Sequence, residues 1–130
     1  MKARGNLLRL KHFQVEDKTR QLAQIDMMIS EFQRMADDLD SQIKFEEEKA
    51  GISDPAHFAY PTFAKAAVQR RDNLMVSIRD LNDKRIGAQE ALDEADEELL
   101  KTQKKEARDG NAIAVEEVAE PFVDQASMIG

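Results

Sequence analysis

The chain has 130 residues, of which 35% are charged, 42% apolar and 5% aromatic, with no Cys, no Trp and a formal net charge of −7. One domain fits this length, and the absence of Cys excludes a disulfide scaffold, a thiolate metal site and a Cys nucleophile. The acidic balance argues against a dedicated nucleic-acid binder, because phosphate neutralisation dominates that kind of affinity.

The first predicted element is a long helix over about residues 6–50. Positions stepping by alternating threes and fours from Leu8 carry ten apolar residues out of thirteen, among them Leu22, Ile25, Ile29, Phe32, Leu39 and Ile43. That is the spacing of a heptad seam, in which one apolar stripe packs on a partner helix. Residues 51–62 form a connector: Gly51 suits a helix C-terminus, Asp54-Pro55 suits the start of a short helical turn, and Pro61 ends that turn. A second helix is expected over about residues 63–106, where nine of twelve seam positions are apolar, including Leu74, Ile78, Leu81, Leu92 and Leu99.

A connection this short makes the helices antiparallel neighbours, so facing residues should have numbers of constant sum. A sum of 117 sets Ala36 on Leu81, Leu39 on Ile78, Ile43 on Leu74, Ile29 on Ala88 and Leu22 on Ala95, with large residues mostly facing small ones. A sum of 110 is the rival register, one heptad away, and puts Arg85 at Ile25 instead of Phe32. The expected fold is therefore all-α: a long antiparallel two-helix coiled-coil hairpin over 1–108, followed by a flexible acidic tail over 109–130, mobile or weakly helical.

No apolar run reaches the roughly 20 residues that span a bilayer, and no secretory signal precedes the first helix, so a soluble cytoplasmic protein is expected. Phosphate-loop, dinucleotide and zinc-protease motifs are missing, and a two-stranded coiled coil has no interior for convergent catalytic groups. Neither an enzyme nor a cofactor or metal site is expected. His12 and His57 fall near opposite ends of the hairpin, and the carboxylates at 37–48 are spread around a solvated helix face.

Three features stand out against ordinary helix surface. Residues 1–20 carry Lys2, Arg4, Arg9, Lys11, Lys18 and Arg20 against Glu16 and Asp17, and Lys101, Lys104 and Lys105 join them where the hairpin closes. This basic end suits an acidic partner surface or, less well, anionic lipid. Leu7, Leu10 and Phe13 lie off the seam at the same end, which suggests a contact site. Met28, Met35 and Met75 flank the seam and are expected to widen the core, while Met27 points outward.

The opening Leu8-Arg9-Leu10-Lys11-His12-Phe13-Gln14-Val15-Glu16, the acidic run from Ile43 to Ala50 and the connector from Ile52 to Pro61 resemble the FliJ family of flagellar export proteins in its alphaproteobacterial form. The resemblance spans roughly residues 1–108. It implies a non-enzymatic coiled-coil stalk whose terminal end sits in the pore of the hexameric export ATPase and promotes its turnover. It also implies contacts with the membrane-embedded export gate and with export chaperones, hence a cytoplasmic protein held peripherally at the inner membrane of the flagellar base. On these residues, ring contacts would fall on Arg4, Leu7, Arg9, Leu10, Lys11 and Phe13 with Lys101, Lys104 and Lys105, and gate contacts on Phe58, Tyr60 and Phe63. Two other readings compete: a holdase-like chaperone or adaptor that grips export substrates with its tips, and a structural coiled coil that dimerises through its exposed stripe.

Overall fold

A computed structural model describes the backbone over residues 2–119 and the side chains over residues 5–110. The fold is all-α, with two long helices packed against each other as a helical hairpin: α1, Lys2–Ala50, and α2, Thr62–Ala119. The chain divides into two compact units, residues 20–90 and residues 1–19 with 91–130.

In the unit of residues 20–90, α1 and α2 run antiparallel on either side of the connector. Gly51 ends α1 with φ +70°, a left-handed backbone that lets its amide and that of Ile52 both donate to the Glu47 carbonyl, at 2.9 and 3.3 Å. The connector is a chain of turns, not a helix. Asp54 accepts the Ala56 amide on its carboxylate, its carbonyl accepts His57, and the His57 carbonyl accepts Tyr60. Pro61 lies just outside α2, its carbonyl taking the Lys65 amide at 3.0 Å. Tyr60 is buried beneath this loop.

The seam of this unit buries Ala36 and Ile43 from α1 and Ala64, Ala67, Ile78 and Leu81 from α2. Leu22, Ile25, Ile29, Phe32, Leu39 and Leu74 are half-buried. Two helices cover each other on one side only, so no large side chain among the described residues is wholly enclosed. Each buried Ile or Leu still contributes roughly 2 kcal/mol of apolar burial.

Two ion pairs fix the register. Arg71 Nη1 donates to Asp40 Oδ1 at 2.9 Å, and Arg85 Nε donates to Asp26 Oδ1 with Nη2 reaching Oδ2 at 3.4 Å. The numbers in each pair sum to 111, so the register is the rival of the sequence reading, near 110, and the pairing by a sum of 117 is overturned. Arg85 lies level with Ile25 and Asp26, not Phe32. A one-heptad slip would carry Asp26 and Asp40 to Leu92 and Ile78, which offer no charge. The adopted register still alternates sizes, bringing Ala36 level with Leu74 and Ile43 level with Ala67.

In the unit of residues 1–19 and 91–130, Ala95 is buried, and Leu8, Val15, Leu92, Leu99 and Thr102 are half-buried along the same kind of seam. Lys11 Nζ reaches Glu98 Oε2 at 3.8 Å across the two helices. The second helix does not stop at 106 but runs to Ala119, through 109 without a break. A single interior Gly110 costs only about 1 kcal/mol, and the first residue that a helix interior cannot accommodate is Pro121. Residues 120–130, the remainder of the expected tail, lie outside the described residues.

Candidate protein-interaction site

The surface singled out at the terminal end belongs to the unit of residues 1–19 and 91–130. Off-seam heptad positions turn Leu7, Leu10 and Phe13 outward from α1, and their exposures are 43%, 49% and 58%. Arg9 is exposed beside them, as are Lys101, Lys104 and Lys105 on α2. Arg4 lies within α1, with its side chain outside the described residues. Leu100, half exposed on α2, adds an apolar residue that the sequence reading passed over; its off-seam position beside Leu99 was the available signal.

Lys11 differs from the other cations in this group. It occupies a seam position, its side chain is only 21% exposed, and its ammonium is taken by Glu98. Lys101 is paired with Glu97 one turn away, at 3.9 Å. Exposed pairs of this kind are worth about 0–1 kcal/mol, so Lys101 remains recruitable by a partner.

The charge here is sharply segregated. Residues 1–13 hold Lys2, Arg4, Arg9 and Lys11 without an acid, and residues 99–108 hold Lys101, Lys104, Lys105 and Arg108 against Glu106 alone. Behind them, on α2, Asp93, Glu94, Asp96, Glu97 and Glu98 form an acidic run, with Lys11 and Lys18 of α1 beside it. The end is therefore basic at its tip, with an acidic stretch of α2 a turn or two inward. A groove of about 710 Å³ lined by Phe13, Asp17, Lys18, Glu94, Glu98 and Lys101 marks the transition.

The connector residues separate into different roles. Phe58 is 96% exposed and stacks on His57 with ring centroids 4.7 Å apart. Phe63 is exposed and shares a groove with Phe45, a residue the sequence reading missed because it lies off the seam, inside an acidic run. Tyr60 must be removed from the candidate gate contacts. It is buried, and its hydroxyl donates to Glu47 Oε2 at 2.6 Å. Burial, reinforced by the Glu47 carboxylate, pushes the Tyr60 hydroxyl up to about 12.

Among the described residues there is no group of three or more His, Asp or Glu able to hold a metal ion, and no helix long and apolar enough to cross a membrane. The fold and its exposed surfaces define a helical hairpin with an amphipathic, charge-segregated end. No family model, curated protein or solved structure matches the chain.

Proposed function

We propose that this chain is a non-enzymatic stalk of the flagellar type III export apparatus, which inserts its terminal end into the hexameric export ATPase, promotes its activity and links it to the export gate and to chaperones. One observation carries the reading: the outward apolar residues Leu7, Leu10 and Phe13 share an end with the exposed cations Arg9, Lys104 and Lys105. An apolar cluster rimmed by one sign of charge suits a protein surface of the opposite sign, the charge steering the encounter and the apolar groups holding it. The hairpin fold and the connector motif that resembles the FliJ family agree with such a stalk. Phe58 and Phe63, exposed at the connector, are the residues left to offer the gate.

Arg9→Glu combined with Lys104→Glu is expected to abolish stimulation of the export ATPase by the chain while leaving its helicity intact. Failure of the unaltered chain to stimulate the ATPase under ring-forming conditions would refute the reading.

A further inference from the structure

The two long edges of the helix pair in residues 20–90 are built differently. One edge carries Asp26, Asp40 and Glu47, and each is engaged by Arg85, Arg71 or Tyr60. On the opposite edge, at the level of Met35, Leu39 and Leu74, no such bridge forms among the described residues. There a groove of about 490 Å³ exposes Met35, Leu39 and Leu74 between Asp38 on α1 and Arg70 on α2. Met28 and Met35 are each 45% exposed along this edge, more than a core-widening role would leave open. Among the described residues Asp38 and Arg70 form no hydrogen bond or ion pair.

We propose that this groove docks a second copy of the chain, edge to edge, forming an antiparallel four-helix arrangement about a two-fold axis parallel to the helices. Such an axis keeps every residue at its own level while setting α1 of one copy beside α2 of the other. In the observed register Asp38 lies level with Asn73, one helical turn from Arg70. Asp38 of one copy therefore comes within an Arg side chain's reach of Arg70 of the second, and the pair forms twice. The apolar strip of Met35, Leu39 and Leu74 meets its own copy between these pairs, and methionine adapts well to such a contact.

A groove meant for a uniformly acidic or basic peptide would carry one sign of charge. This one carries an unpaired cation and an unpaired anion on opposite walls, which is the self-complementary pattern. The inference is independent of the export reading, because the contact uses residues 20–90 and leaves Leu7, Leu10 and Phe13 untouched.

Sedimentation velocity of the full chain from about 1 to about 100 μM, the range in which a moderate dimer titrates, tests the proposal. A concentration-dependent dimer is expected. Met35→Lys should weaken it by about tenfold or more, since it buries an unpaired charge, with helicity unchanged by circular dichroism. Arg70→Asp and Asp38→Arg should each weaken it, and the combined reversal should restore association to within about threefold of the unaltered chain, as expected of directly coupled residues. A chain that stays monomeric throughout overturns the proposal and leaves the groove to a helix of another protein. A dimer that survives Met35→Lys, or that the combined reversal weakens further, overturns it as well.

Discussion

Arg85 on α2 reaches across to Asp26 on α1, and two heptads away Arg71 repeats the contact with Asp40. Both arginines occupy seam positions where an apolar residue would pack better, and both carboxylates hold their guanidiniums' affinity for the proton above its ordinary value. Equal 14-residue spacing on the two helices means that only one alignment satisfies both pairs. A polar residue at a seam position commonly fixes register at some cost in stability.

Replacing both arginines, Arg71→Leu with Arg85→Leu, should therefore raise thermal stability while allowing the one-heptad slip. The chain has no Cys, so engineered pairs report alignment cleanly. Ala36→Cys with Leu74→Cys should cross-link in the unaltered background, and Ala36→Cys with Leu81→Cys only in the double-leucine background. Efficient cross-linking of 36 to 81 with both arginines present would contradict the register.

Tyr60 is the only Tyr, and without Trp its phenol absorbance can be followed alone. Its hydroxyl is raised to about 12, so the folded state favours the neutral phenol. That contribution is fully present below the unfolded value near 10 and is lost as pH rises through 12. Spectrophotometric titration should give a midpoint near 12 in the native chain and near 10 in denaturant.

Tyr60→Phe removes the bond to Glu47 and should cost about 1–2 kcal/mol. Hydrogen exchange should locate the loss in the connector amides, with the Gly51 and Tyr60 amides exchanging faster and the α2 seam little affected. Uniform loss of protection along both helices would contradict a local role.

Two glycine substitutions should move stability in opposite directions. Gly51→Ala keeps the space but not the backbone, since φ +70° strains any side chain, and should destabilise by about 1 kcal/mol. Gly87→Ala lies within α2 with open space around the added methyl and should stabilise by roughly 0.5–1 kcal/mol. Chemical denaturation of the two variants checks both signs.

Leu10→Ser with Phe13→Ser should separate function from folding. Both side chains are about half exposed, so the melting temperature should barely move, within about 0.5 kcal/mol per site. Under the proposed function, stimulation of the export ATPase should nonetheless fall sharply in a coupled assay.

The helices and their seam were legible because a heptad repeat is a local signal, and Leu22, Ile29, Ile43, Ile78 and Leu81 declare it without reference to anything distant. Register was not, because size alternation is met by either alignment: Ala36 can face Leu81 or Leu74 equally well. The deciding information lay beside the seam, in Asp26 and Asp40 spaced like Arg85 and Arg71. Tyr60 was misread for a related reason. An aromatic in a connector looks like surface until Glu47, thirteen residues upstream, is seen to take its hydroxyl.

The acidic run from Asp93 to Glu98 begins about 4.5 Å from Lys101 along α2, well within one Debye length under physiological salt, and Glu97 already holds Lys101 at 3.9 Å. A negatively charged cavity wall drawn over the cations would thus be repelled before it could slide further. Under the proposed function, attraction at the tip and repulsion behind it would act as a depth stop, limiting how far the end enters the ATPase pore without any steric shoulder.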